Sequence, residues 1–230
     1  MKINYPMDQN DTFYSDKWIG KGTGFFIAPN KILTTYENIA LANALRVKGS
    51  IDGKPFLVNA KLVQAEERSN LAVIQLERNV LPEKELNILG INDQASTEET
   101  QFLSIGYPHS LSGILDIAHY FEGKRVPSAP SRPRSLAIEM PFRFGMLGAP
   151  VFDNNLNFLG IVSQKSYDIN YSEIIDYHNN AMLFRGFSPH FSNNKTSSIL
   201  DINKNDQIQK LSNLVVIIES YIFESETADN

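Results

Sequence analysis

The first two thirds of the sequence consist of short apolar runs separated by turn residues, a pattern that favours a fold built from β-strands. Residues 24–27 and 32–35 are two such runs, and Pro29 and Asn30 stand at turn positions between them. This arrangement predicts a β-hairpin. Further strands are predicted at residues 44–47, 54–63, 71–76, 101–105, 113–121, 136–140, 158–163 and 181–187. We therefore expect an all-β fold.

The strands fall into two comparable halves on either side of a polar stretch near residues 91–99. We expect an N-terminal β-lobe over residues 1–95 and a C-terminal β-lobe over residues 96–195. Residues 196–230 are predicted to form a helix and tail. Apolar residues recur there at steps of three and four, namely Ile208, Leu211, Val215, Ile218 and Ile222. The helix is expected to dock its apolar face on the second lobe, and a detachable helix that binds a partner is the alternative.

Composition excludes several classes of function. The chain has no cysteine, so disulfides, thiolate catalysis and cysteine-ligated metal centres are ruled out. Acidic residues outnumber basic ones, 26 against 21, and no general nucleic-acid partner is expected. No metal-ligand spacing is found, and no cofactor is expected. Neither a signal-peptide pattern in residues 1–17 nor a run long enough to span a bilayer is present, so a cytoplasmic location is expected.

Two surface segments are candidate recognition sites. One is a proline-punctuated basic run that contains Lys124, Arg125, Arg132 and Arg134. It is expected to be extended and exposed, and it is either a solvated loop or a site for an aromatic groove or an acidic partner. The other is the tyrosine-containing segment 166–180, which is interpreted as an ordinary loop or as a recognition surface.

Four segments carry motifs that identify a family by resemblance. They are GTGFFI (residues 22–27) with ILTTYENI (32–39), SNLAVI (69–74), SIGYP (104–108) and GMLGAPVF (145–152). In this order they resemble the signature regions of the trypsin-like (chymotrypsin-fold) serine peptidases, especially the short bacterial Deg-type members. The resemblance covers most of residues 18–190. It implies two six-stranded antiparallel β-barrels of the chymotrypsin fold, to which this chain adds a C-terminal α-helix.

The same resemblance implies that the catalytic triad has been lost. Glu37 stands where the family has its catalytic His, Asn70 where it has the orienting Asp, and Leu147 where it has the nucleophilic Ser. Acyl transfer on this fold needs a hydroxyl nucleophile, an imidazole that moves its proton and a carboxylate that orients the imidazole. We therefore expect a pseudopeptidase without catalytic residues, which binds a protein or peptide through its degenerate cleft.

The predicted binding residues belong to two groups. The first is the loop at the nucleophile position, Gly145, Met146, Leu147 and Gly148, and the second is the basic group named above. In the family, backbone N–H groups at the positions of Gly145 and Leu147 form the oxyanion hole. Whether this loop keeps that conformation is left open by the sequence. Filling of the cleft by Met146 and Leu147 is favoured over an exposed apolar pocket.

Several alternatives remain at this stage. Glu37 and Asn70 are candidates for a hydrogen bond that holds the lobes together, and Glu37 as a lone base would lack an acid partner. A hydrolase with another nucleophile would use Ser104, Ser110 or Ser112, and a structural subunit of an assembly is a third possibility. The four histidines, His109, His119, His178 and His190, lie outside the matched positions. They are expected to be surface or hydrogen-bonded residues, and a relocated catalytic base is the less favoured alternative.

Overall fold

The computed structural model of the protein describes residues 18–91, 100–108, 117–126, 135–141, 143–165, 171–191 and 196–221. Within these ranges the chain is dominated by antiparallel strands, with three α-helices and short 3-10 helices between them. No helix in the described ranges is long and apolar enough to cross a membrane.

The first barrel is closed by six strands whose order is β1-β13-β3-β4-β5-β2. They are β1 (Trp18–Ala28), β2 (Lys31–Thr34), β3 (Ala44–Ile51), β4 (Lys54–Glu66), β5 (Leu71–Leu76) and β13 (Val215–Tyr221). The predicted hairpin is confirmed as β1 and β2, which pair antiparallel. Its β-branched and aromatic residues fit a pleated surface of which one face is buried.

The second barrel follows from the pairing order β10-β7-β8-β9-β12-β11, which the pairing of β10 with β11 closes. Its strands are β7 (Gln101–Gly106), β8 (His119–Arg125), β9 (Ser135–Glu139), β10 (Pro150–Asp153), β11 (Asn157–Lys165) and β12 (Ser172–Asp176). A short strand, β6 (Gly90–Ile91), pairs parallel with β11. The predicted pair of six-stranded antiparallel barrels is therefore confirmed.

The strand predicted at residues 181–187 is wrong, because this segment belongs to helix α2 (Tyr177–Phe187). The Asp176 carboxylate caps the helix by accepting a hydrogen bond from the Asn179 N–H at 3.0 Å. Tyr177, Phe184 and Phe187 turn toward the core at helical spacing. The preceding residues 172–176 form the fully buried strand β12, so this part of segment 166–180 is not a recognition loop, while residues 166–170 lie outside the described ranges.

The C-terminal helix is confirmed as α3 (Lys204–Ser212), and the shortest helix is α1 (Glu83–Leu86). The predicted continuation of α3 toward Ile222 is wrong, because residues 215–221 form strand β13. The run of Val and Ile that begins this segment is β-branched, and every residue of β13 is buried. The segment therefore completes the first barrel, and the assignment of residues 196–230 to a separate helix and tail is corrected.

An aromatic cluster joins the two barrels on one side. It consists of Phe25, Phe152, Phe158, Tyr177, Phe184 and Phe191, all buried. The Phe158 ring lies 5.3 Å from Phe25 of the first barrel and 5.0 Å from Phe191. The Ser188 hydroxyl, just after α2, donates a hydrogen bond to the Ile27 carbonyl at 2.8 Å. Helix α2 and this cluster therefore hold the second barrel against β1.

Candidate functional site

Glu37 and Asn70 lie on neighbouring turns of the first barrel. Glu37 is in the 3-10 helix Tyr36–Asn38 that follows β2, and Asn70 directly precedes β5 in a left-handed conformation, φ 52°. The Glu37 backbone N–H donates to Asn70 Oδ1 at 2.9 Å. Asn70 Nδ2 in turn donates to the carbonyl of Ser163, in the second barrel, at 3.3 Å. Of these two residues, Asn70 is the one that reaches the second barrel. Glu37 contributes its backbone N–H to the bond with Asn70, and its side chain is exposed.

The loop that carries Leu147 consists of two successive tight turns. The Met146 N–H donates to the Arg143 carbonyl at 3.1 Å, and Gly145 between them has φ 91°. A positive φ at the third residue is what a type II turn requires, and glycine adopts it without strain. The Ala149 N–H then donates to the Met146 carbonyl at 2.9 Å, and Gly148 has φ 85°.

Residues of the first barrel donate hydrogen bonds to two carbonyls of this loop, those of Gly145 and Leu147. The Thr23 hydroxyl donates to the Gly145 carbonyl at 2.7 Å, and the Thr23 N–H donates to the Leu147 carbonyl at 2.9 Å. Asn38 Nδ2 donates to the same Leu147 carbonyl at 2.9 Å. Glu37, Asn70 and Leu147 are thus brought to one region, which we call the barrel junction: residues 36–38 and 70 of the first barrel and the loop 143–149.

Two backbone donors of the loop are unused. Among the residues that the structure describes, neither the Gly145 N–H nor the Leu147 N–H has a hydrogen-bond acceptor. The Met146 carbonyl and the Leu147 N–H belong to the same trans peptide unit and therefore point in opposite directions. Because the carbonyl points into the turn to accept from Ala149, the Leu147 N–H points away from it. Gly145 is buried and Leu147 is half-buried, and their two N–H groups stand at the positions that the resemblance assigns to the oxyanion hole.

The side chains of the loop differ from one another in exposure. Met146 is 1% exposed and belongs to the core of the second barrel, so its predicted contribution to a binding surface is corrected: its side chain is closed to a partner. Leu147 is half-buried and packs against the same core. Phe144 is 77% exposed beside the loop. Sequence reasoning missed Phe144, because exposure of a single aromatic residue leaves no pattern in the sequence.

The predicted basic group is only partly described. Lys124 is exposed on β8 and forms an ion pair with Glu139 at 3.1 Å, and Arg125 is half-buried at the end of the same strand. Arg132 and Arg134 lie outside the described ranges. A binding role for this group therefore stays a prediction.

The alternative nucleophiles gain no support from the described part of the chain. Ser104 is fully buried in β7, and its hydroxyl donates to the Pro150 carbonyl at 2.9 Å. Ser110 and Ser112 fall in a range that is not described, as does His109. His119 and His178 are exposed. A buried hydroxyl that is already committed to a carbonyl is poorly placed to attack a substrate.

The pKa values of Tyr36 and Asp176 are both raised. A hydrogen bond from the Tyr36 phenol to Glu67 raises the pKa of Tyr36. Burial raises the pKa of Asp176 at the start of α2, and hydrogen bonds from Asn179 offset part of this effect. The described residues contain no group of three or more His, Asp or Glu side chains that could hold a metal ion.

Thr34 and Thr35 provide a matched pair for testing the junction. Both are fully buried, but the Thr34 hydroxyl donates to the Thr23 carbonyl at 2.8 Å, whereas the Thr35 hydroxyl has no partner in the described ranges. We expect Thr34→Val to lower the free energy of unfolding by about 1 to 2 kcal/mol and Thr35→Val to raise it by about 1 kcal/mol. Urea denaturation of both variants measures this. A loss at Thr35 as large as at Thr34 would contradict the assignment of partners.

Two closed antiparallel barrels with a tight-turn loop at their junction define the class of the protein, which is the two-barrel fold of serine peptidases. The family model described as a trypsin-like peptidase domain matches residues 22–161. The chain therefore belongs to the trypsin-like peptidase family. No curated protein is similar enough in sequence to be matched to it.

Solved structures of the same fold include two proteases and Deg5. The inactive form of the Rv3671c protease of M. tuberculosis is 18% identical, with 74% of this chain and 85% of that chain covered and a TM-score of 0.57. The MamO protease domain from Magnetospirillum magneticum is 12% identical, with 76% of this chain and 98% of that chain covered and a TM-score of 0.54. Deg5 is 19% identical, covering 69% and 79%, with a TM-score of 0.52. At these identities the similarity concerns the fold alone.

Proposed function

We propose that this chain is a catalytically inactive trypsin-like pseudopeptidase, which binds a protein or peptide segment at the barrel junction. The observation that carries the proposal is the identity of the three matched residues, Glu37, Asn70 and Leu147. An aliphatic side chain has no atom that attacks a carbonyl, and a carboxylate cannot replace the imidazole and its orienting partner together. In a triad enzyme, loss of the nucleophile or the base alone lowers turnover by about a millionfold.

The hydrogen bonds of Asn70 support a structural role for this residue. Its carboxamide oxygen accepts from the Glu37 N–H, and its amide group donates across the junction to Ser163. Both the oxygen and the NH₂ group of the Asn70 side chain therefore form hydrogen bonds with backbone groups. This arrangement stabilises the contact between the barrels without a proton-transfer group.

The unused donors at Gly145 and Leu147 support binding of a main-chain carbonyl. An extended peptide presents carbonyl oxygens that two backbone N–H groups can bind whatever its side chains are. The exposed Phe144 ring and the half-buried Leu147 side chain offer apolar contacts next to these donors. The exposed Glu37 carboxylate favours a neutral or basic residue beside the bound carbonyl.

The proposal is tested by selecting peptides from a displayed random library on the purified full chain. We expect the selected peptides to bind at least about tenfold more weakly to Leu147→Arg, in which a charge fills the junction. Glu37→Arg is a second variant, at an exposed position of the junction, and Leu62→Arg on β4 is the control for the same substitution at a leucine outside the junction. Equal affinity of the peptides for the native chain and for the three variants would show that the junction is not the binding site.

The same preparation gives the catalytic readout. We expect no cleavage of fluorescent casein and no covalent labelling by a fluorophosphonate that reacts with activated serines. Cleavage that disappears in Glu37→Ala would contradict the proposed inactivity, and labelling of any serine would favour a hydrolase with another nucleophile.

A further inference from the structure

The carboxamide of Asn38 occupies a central place in the barrel junction. Both hydrogens of its Nδ2 are used: one hydrogen bond goes to the Thr34 hydroxyl at 2.9 Å and the other to the Leu147 carbonyl at 2.9 Å. The side chain is half-buried between β2 and the loop 143–149. A single amide group therefore joins the end of a first-barrel strand to the loop of the second barrel.

The orientation of this carboxamide follows from its neighbours. The Thr34 hydroxyl has one hydrogen, which it donates to the Thr23 carbonyl at 2.8 Å, so toward Asn38 it acts as an acceptor. The Leu147 carbonyl is an acceptor as well. Both neighbours thus require the NH₂ end of the carboxamide, and a flipped Asn38 would place its oxygen against two other oxygens.

Gly22 provides the space for this side chain. A Cβ atom at position 22 would overlap the carboxamide atoms of Asn38, so a side chain there would displace the carboxamide from this position. Gly22 leaves room for the Asn38 carboxamide, and the Thr34 hydroxyl and the Leu147 carbonyl accept its hydrogen bonds. These separate parts of the sequence contribute to the same contact.

The contact acts on the peptide unit that follows Leu147. Its carbonyl accepts from Asn38 Nδ2 and from the Thr23 N–H, and its N–H, that of Gly148, donates to the Val162 carbonyl at 2.8 Å. The loop is therefore held one peptide unit from the Leu147 N–H and three peptide units from the Gly145 N–H, the two donors without acceptors in the described ranges.

We propose that Asn38 is a positioning residue, which holds the Leu147 carbonyl so that the Gly145 and Leu147 N–H groups are kept free for a carbonyl oxygen before any partner binds. The role of Asn38 in recognition rests on the proposed function, whereas its effect on the geometry of the loop is independent of that function. A loop that is already ordered does not have to lose conformational freedom when a partner binds, which improves affinity.

The test is amide NMR of the full chain without ligand, so that its failure is separate from failure of the proposed function. In Asn38→Leu, which keeps the size of the side chain and removes both donors, we expect the Thr23 amide to exchange with solvent about tenfold faster. We also expect the Gly145 and Leu147 amide resonances to shift. Unchanged exchange and unchanged resonances would overturn the proposal.

Asn38→Asp distinguishes positioning from simple packing. An ionised carboxylate repels the Leu147 carbonyl, whereas the protonated acid donates to it and has nearly the shape of the native side chain. We expect the Asn38→Asp resonances to depart from those of the native chain at neutral pH and to return toward them below pH of about 4. Asn59→Asp at an exposed position of β4 is the matched control. A departure that persists unchanged at low pH would show that Asn38 only fills space.

Discussion

Gly148→Ala is expected to destabilise the protein by about 2 to 6 kcal/mol, because backbone strain and steric overlap act together at this position. Gly148 has φ 85°, a conformation that an L-residue adopts only with strain. A Cβ there would overlap the Thr23 carbonyl oxygen and lie 2.6 Å from the Thr34 hydroxyl oxygen. Both atoms belong to the contact between the first barrel and the loop, so the substitution also displaces Leu147.

Two other glycines separate the causes of this loss. Gly53 has φ 76° but open space around its Cβ position, so Gly53→Ala measures strain alone, about 1 to 2 kcal/mol. Gly186 lies in α2, also with open space, and Gly186→Ala is expected to raise stability by up to about 1 kcal/mol. Urea denaturation of the three variants provides the comparison. If the loss at Gly148 is no larger than at Gly53, the close approach of Thr23 to the loop is refuted.

Phe158→Ala is expected to lower the free energy of unfolding by about 3 to 5 kcal/mol. The ring is fully buried at the centre of the aromatic cluster, stacked 5.3 Å from Phe25 and edge-on 5.5 Å from Phe184. Its removal leaves a cavity between β1, β11 and α2, which cannot collapse without moving one barrel relative to the other.

The effect of Phe158→Ala is also expected to reach the barrel junction, because Phe25 lies on β1 two residues after Thr23. We therefore expect faster exchange of the Thr23 amide in this variant. Phe56→Ala is the matched control: Phe56 is buried in the first barrel on β4, near Phe26, and its loss should lower stability while sparing the junction. Equal effects of the two variants on the Thr23 amide would show that the aromatic cluster does not position the junction.

The local sequence pattern was sufficient to predict most of the strands. Strand β5 has the bounds that its apolar run predicts, and the hairpin of β1 and β2 follows from Pro29 and Asn30 between two apolar runs. The order of the motifs was sufficient for the family, since it reflects the two-barrel topology. These features depend on residues close together in the chain, and their signals are therefore present in the sequence.

The mispredicted elements are those whose environment comes from distant parts of the chain. The Val and Ile of β13 also match a helical period, and the neighbouring strands β1 and β3 make that segment a strand. Residues 181–187 are apolar enough for a strand, but the Asp176 cap begins a helix whose apolar face packs into the aromatic cluster. In both cases long-range packing overrides a local preference.

The candidate site likewise has features that depend on residue identity and features that depend on long-range packing. The sequence by itself determined which side chains stand at the three positions that the resemblance matches to the triad, Glu37, Asn70 and Leu147, and the proposed inactivity rests on these identities. Only the tertiary structure decided which groups hold the loop. Thr23 and Asn38 reach the Leu147 carbonyl across 124 and 109 residues of chain, and a hydrogen bond over that separation exists only once the two barrels have packed together.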